Sequence, residues 1–263
     1  LQVIWCIGIC MIVLAGLLHF KRGWLIVLGV AIVAGHNLFD NVTVGPESPF
    51  FVPWSILHQR VFIDITEFTR ARTTYPVLPW IGVIVLGWAI GPWFGKDMDP
   101  SERLSRLLKL GAGLLVAFFV IRYLNFYGEK PWVQTGDALR TFMSFMSAKK
   151  YPPSLMFLMP TLGLSLLLLA LFEKLQDRWT TSTLAIYGGA PMFFYLLHLY
   201  VLKAMYLVAV AIWGANQGQY YGFDDLPMVW LWSAILGVLL FFPTRWFADL
   251  KQRRRDIAIL KYL

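Results

Sequence analysis

The chain has 263 residues, 58% hydrophobic and 14% charged, with a net charge of +8. An ordinary soluble domain is roughly 25% charged, so this composition excludes a soluble enzyme and makes lipid the solvent. The positive balance then points to anionic headgroups rather than nucleic acid, and the only cysteines, Cys6 and Cys10, four apart on one helix, form neither a disulfide framework nor a metal site.

Seven apolar runs follow in order, most near the roughly 20 residues that cross a bilayer. They are continuous rather than alternating, so helices are expected, not a barrel. The first, Leu1–Phe20, starts at once with leucine. No basic stretch or small-residue cleavage site precedes it, so a missing upstream segment is expected rather than a signal peptide. The second, Gly23–Phe39, closes on GHNLFD, where His36 and Asp40 lie four apart and share a face. Two readings are open: a hydrogen-bonded helix end, or a carboxylate that orients a histidine.

The segment Asp40–Tyr75 carries Phe50, Phe51, Pro53, Trp54, Leu57, Val61 and Phe62, too apolar for a free linker. It is expected to dip into the interface or lid a cavity. The third run, Val77–Phe94, has Pro76 and Pro79 at its start, Trp80 as an interface aromatic, and Gly82, Gly87 and Gly91 for close helix packing. The fourth, Leu107–Tyr127, ends in RYLNFYG, with Arg122 roughly 8 Å inside the helix end. Arg122 either snorkels to the headgroups or turns inward to an acidic group or anionic ligand, with Asn125 on the same face.

Leu139, Phe142, Met143 and Met146 lie at helical spacing in the next loop and predict a short helix on the membrane surface. KKYPPSL then places Lys149, Lys150 and Tyr151 before the fifth run, Pro153–Phe172. They are interfacial anchors, or an anion site at a helix start. The sixth run, Ala190–Trp213, holds His198 about two turns inside, with Tyr195 on its face and Lys203 further on. The seventh is Leu226–Thr244. Residues 1–248 read as a transmembrane domain and residues 249–263 as a basic cytoplasmic tail, with Lys251, Arg253, Arg254, Arg255 and Lys261, suited to anionic lipid as an amphipathic interfacial helix or a solvated stop.

The positive-inside rule puts that tail in the cytoplasm. Seven spans then put the N-terminus outside, and Lys and Arg of the inner segments outnumber those of the outer ones. His36, Asp40, Arg122, Asn125, Lys150 and Tyr151 all fall at the outer end, where the loops are also longest. They are expected to line one outer cavity.

LQVIWCIG, GHNLFD, YPVLPWIGVIVLGWAIG, RYLNFYG, KYPPSLMFLMPTLG and APMFFYLLHLY, in that order from Leu1 to about Tyr200, resemble bacterial relatives of heparan-α-glucosaminide N-acetyltransferase. That resemblance implies a transmembrane acyltransferase bundle of about ten helices, of which this all-α chain is the C-terminal part. It implies acetyl-CoA or another acyl-CoA as donor, a sugar or glycan acceptor on the outer face, and a bacterial inner membrane. It also implies a catalytic histidine upstream of this chain, matched by neither His36 nor His198. His36, Asp40, Arg122, Asn125, Lys150, Tyr151 and His198 are then candidate substrate or support residues. A transporter and a non-catalytic subunit of a larger membrane complex are the alternatives, and a homo-oligomer is a further partner expectation.

Overall fold

The computed structural model describes residues 1–262, with side chains as far as Leu260. Lys261, counted above with the basic tail, lies outside the described side chains. The protein is all-α apart from one small hairpin. It divides into two units, Leu1–Glu173 and Lys174–Leu263.

The first unit opens with α1 (Val3–Leu17) and α2 (Arg22–Gly35), the latter running into a 3-10 turn at His36–Phe39. The segment expected to dip into the interface or lid a cavity is folded: α3 (Phe51–Leu57) precedes an antiparallel hairpin, β1 (Phe62–Thr66) and β2 (Thr69–Arg72). Its register pairs Phe62 with Arg72 and Asp64 with Arg70. Then come α4 (Leu78–Ile90), α5 (Pro100–Leu124), the short amphipathic α6 (Ala138–Met146) foreseen from its spacing, and α7 (Leu155–Lys174).

All seven apolar runs are helical, and among the described residues five helical stretches are long and apolar enough to cross a membrane. The other two are shorter than expected. α1 has 15 residues, about 22 Å at 1.5 Å per residue, against a hydrocarbon core of roughly 30 Å. α4 has 13, confined by Pro76 and Pro79 at its start and by Gly91–Pro92, which tightens its end into a 3-10 turn at Gly91–Phe94.

Two glycine crossings hold the first unit together. A Cβ on Gly29 of α2 would lie 2.7 Å from Leu86 Cγ, and one on Gly82 of α4 would lie 2.8 Å from Val33 Cγ2. Gly111 of α5 and Gly163 of α7 meet in the same way, each within about 3 Å of the other's carbonyl oxygen. Small residues let the backbones approach where lipid supplies no hydrophobic drive. Of the glycines expected to pack, Gly82 does so, while Gly87 and Gly91 face open space. At the far end of α5, Arg103 grips Glu173 with Nε and Nη2, at 2.6–2.9 Å.

The second unit has α8 (Trp179–Gly189), α9 (Pro191–Trp213) and α10 (Leu226–Arg253). The sequence showed no helix at α8, whose threonines and serine dilute any apolar run. No residue of α9 is buried within the chain, as expected of a helix whose solvent is lipid. Helix α10 passes through the expected boundary at residue 248. Beyond it Ile257 and Leu260 fold back on Ala190, Phe247 and Ala248, so the apolar members of the tail meet protein.

Candidate functional site

The polar corner of the first unit is built around GHNLFD. The helical run of α2 stops at Gly35 and tightens into the 3-10 turn, which projects His36, Asn37 and Asp40 toward three other segments. His36 is 2% exposed. Its Nε2 lies 2.8 Å from the Pro153 carbonyl oxygen, and its Nδ1 faces the carbonyls of Ile32 and Val33. Asn37 does two jobs. Its Oδ1 accepts from the Leu155 amide at 2.8 Å, and its Nδ2 donates to Asp40 Oδ2 at 2.8 Å. The Tyr127 hydroxyl donates to the Ala34 carbonyl, bringing the end of α5 to the same corner.

The other oxygen of Asp40 faces His58, a residue that sequence reasoning passed over. His58 follows α3, is 4% exposed, and stacks on Trp54 with ring centroids 5.4 Å apart. Its Nε2 lies 3.7 Å from Asp40 Oδ1, too far for a hydrogen bond, and is buried with no hydrogen-bond partner. Burial holds the imidazole below its ordinary value of 6.5, and the Asp40 carboxylate pulls the other way. The signal for His58 was the spacing Trp54–His58, four residues apart, the same that marked His36 and Asp40.

The backbone around His58 is fixed. Buried Thr73 donates from Oγ1 to the Gln59 carbonyl at 2.8 Å and accepts from the Val61 amide at 2.9 Å. The Val77 amide reaches the Ile56 carbonyl at 2.9 Å. Gln59 pairs with both backbone groups of Val44, and Trp54 Nε1 donates to Val42 O.

Beside this corner sits a ring of aromatic and cationic side chains. The Tyr151 and Tyr75 hydroxyls are 3.1 Å apart. Arg60 Cζ and Lys150 Nζ lie 4.9 and 5.2 Å from the Tyr151 ring centroid. The Tyr75 hydrogen bond, then Lys150, draw the Tyr151 phenol below its ordinary value. Tyr75 also packs on Trp80, whose Nε1–H is buried without a partner. Among the described residues, His58 Nε2 and Trp80 Nε1 are the two buried side-chain atoms left unsatisfied.

Arg122 and Asn125 lie differently. Arg122 is 3% exposed. Nε donates to Phe145 O at 2.7 Å, Nη1 to Lys130 O at 2.9 Å, and Nη2 to Ser144 O and Ser147 O at 2.9 and 3.0 Å. The guanidinium neither snorkels nor meets an acid; it clasps α6 and its flanks to α5. Asn125 ends α5 in the left-handed region, φ 56°, and exchanges both side-chain bonds with the Trp132 backbone at 2.9 Å. His198 belongs to the second unit, its Nδ1 3.3 Å from the Phe194 carbonyl of its own helix. The structure thus gathers His36, Asp40 and Tyr151 with its neighbour Lys150 near one corner, while Arg122 and Asn125 tie loops. Among the described residues no His, Cys, Asp and Glu group fit for a metal occurs.

Residues 1–128 match the family model described as heparan-alpha-glucosaminide N-acetyltransferase, catalytic. That stretch, a little under half of the chain, is similar to the family. The match spans α1 to the end of α5 and so contains GHNLFD, His58 and the hairpin. No curated protein and no solved structure gives a significant match. The chain's long apolar helices suit an integral membrane protein.

Proposed function

We propose that the Asp40–His58 corner takes the proton from the acceptor in acyl transfer from an acyl-CoA to a sugar or glycan hydroxyl or amine at the outer face of a bacterial inner membrane. The observation that carries this reading is the buried, unpartnered His58 Nε2 facing Asp40. Buried polar atoms in native proteins nearly always have partners, and an imidazole without one beside a carboxylate is equipped to accept a proton.

In the step proposed, the acceptor oxygen or nitrogen attacks the thioester carbonyl. Its proton moves to His58 Nε2 as the new ester or amide bond forms. The thioester C–S bond breaks, and the CoA sulfur leaves with a proton. Asp40, held by Asn37, balances the imidazolium while it lasts. Trp80 Nε1–H is the uncommitted donor at this end. Arg122 supports the reading indirectly, since it holds the loop that leads to Lys149 and Tyr151. Acetyl-CoA is the donor expected of the family that residues 1–128 resemble.

Sidedness is part of the proposal. Cationic residues concentrate at the other end, so the corner faces outward and the C-terminus is cytoplasmic, with the basic tail on anionic lipid. A cysteine at Gln217 or Gln219 labels from outside and one at Gln252 only after permeabilisation; the reverse pattern overturns the orientation.

The deciding experiment is release of free CoA by the full-length protein in proteoliposomes, with amino sugars and glycans outside. His58→Gln lowers the rate about 10²–10⁴-fold, the usual worth of a general base, with the thermal unfolding midpoint little changed. A His58→Gln protein as active as the wild type removes His58 from the mechanism.

A further inference from the structure

We infer that the acceptor is anchored in the membrane by a lipid and presents an anionic phosphate to Arg60, Lys149 and Lys150. This rests on the acyl-transfer reading of the corner, and it adds what kind of molecule arrives there. Two observations carry it, one electrostatic and one apolar.

The first is a set of cations without acidic partners. The ion pairs among the described residues engage Arg70, Arg103, Arg106, Arg254 and His58. Arg60, Lys149 and Lys150 have none. Arg60 and Lys150 both bear on Tyr151, Lys149 lies close enough to act on the charge of His58, and Arg60 is two residues beyond it in the chain. Against these three cations stand two carboxylates, Asp40, which faces His58, and Glu129, which accepts from the amides of Lys130 and Lys149. The surplus is positive, and it borders a buried imidazole and a buried indole N–H that both lack partners.

The second is the hairpin that starts two residues after Arg60. Phe62, Ile65 and Phe68 are exposed on it, Phe68 at 96%. Burying one such side chain is worth roughly 1.5–3 kcal/mol, so an apolar tip flanked by Arg60, Arg70 and Arg72 suits insertion at the interface, with its cations at headgroup level. Arg70 is held by Asp64 at 2.7 Å and Arg72 lies over the Phe62 ring of the hairpin, whereas Arg60 lies over Tyr151, beside Lys150. A cationic corner at that depth is reached along the bilayer surface, and a lipid-borne phosphate travels at that level. A soluble sugar phosphate offers the same charge with nothing for the apolar tip to align.

The test uses the full-length protein in phosphatidylcholine nanodiscs doped with photoreactive phosphatidic acid, with labelled peptides mapped by mass spectrometry. Labelling is expected in residues 58–72 and 149–151, and photoreactive phosphatidylcholine should label them far less. Each cation near a charged headgroup is worth about fivefold, so Arg60→Gln with Lys150→Gln lowers labelling there roughly 25-fold, while Arg60→Lys retains most of it. Glycerol 3-phosphate, the same headgroup without chains, competes only weakly. Equal labelling by phosphatidylcholine refutes the phosphate. Competition by glycerol 3-phosphate as effective as that of unlabelled phosphatidic acid refutes the anchor. His58→Gln keeps the labelling, so loss of turnover in that variant speaks only to the acyl-transfer reading, and loss of labelling in the Arg60/Lys150 variant only to this one.

Discussion

Two buried polar groups lie at the same end of the first unit, and they are opposites. Around Arg122, four of the five guanidinium N–H donors meet four main-chain carbonyls, so the cation holds a loop. Around His58, the same degree of burial leaves ring nitrogen Nε2 with no hydrogen-bond partner and a carboxylate 3.7 Å away. Burying a polar atom without a partner costs free energy. Where the chain accepts that cost, a ligand is the natural remedy; where main-chain carbonyls take up the donors, the polarity is architecture.

The sharpest way to test that contrast is to remove each group and ask what fails. Arg122→Ala leaves several buried carbonyls without donors, each worth roughly 1–3 kcal/mol. The thermal midpoint of the protein in detergent should therefore fall steeply, with activity per folded molecule preserved. Arg122→Lys recovers part of the midpoint, because an ammonium cannot reproduce the planar fork. If Arg122→Lys is as stable as the wild type, the clasp is weaker than its geometry.

Asp40→Asn should act in the opposite sense: turnover falls by about 10–100-fold, the usual cost of losing an orienting partner, and stability changes little. It also moves the pH profile. Burial lowers the His58 value and Asp40 raises it, so without the carboxylate the acid limb of the rate profile shifts to lower pH. A shift upward contradicts the assignment of His58 as the base. The same depression ties the fold to pH. His58 binds its proton more readily in the unfolded chain, so its contribution to stability is present above about 6.5 and is lost as pH falls through its lower folded value.

The smallest effect belongs to Asn125. Asn125→Ala loses both bonds to Trp132 and places alanine at φ 56°, a cost of order 1–3 kcal/mol. Asn125→Gly restores the backbone freedom and should recover a few tenths to 1 kcal/mol, read as unfolding midpoints. Turnover per folded molecule should match the wild type in both.

What the sequence revealed, and what it hid, follows the same division. Seven continuous apolar runs could only be helices, and α6 was plain from its period. The corner at GHNLFD was legible because His36 and Asp40 sit four apart at the end of a run. His58 was hidden in a segment read only as apolar. Helix α3 and the hairpin are seven, five and four residues long, and they exist through distant pins such as Thr73 to Gln59 and Val77 to Ile56. The destination of Arg122 was equally out of reach, since its acceptors are carbonyls, and every residue has one.

The glycine crossings determine which motions the first unit retains. With α2 on α4 at Gly29–Gly82, and α5 on α7 at Gly111–Gly163, neither pair can slip by a residue without driving a side chain into backbone. Each pair is mechanically a plank, and at the seam between planks Val33 of α2 packs against the cluster of Phe118, Leu155, Met156 and Met159. His36 and Asn37 reach across that seam to Pro153 and Leu155. Any opening that admits an acyl chain must unlatch the corner where the proton is to be taken, so access and chemistry share one hinge.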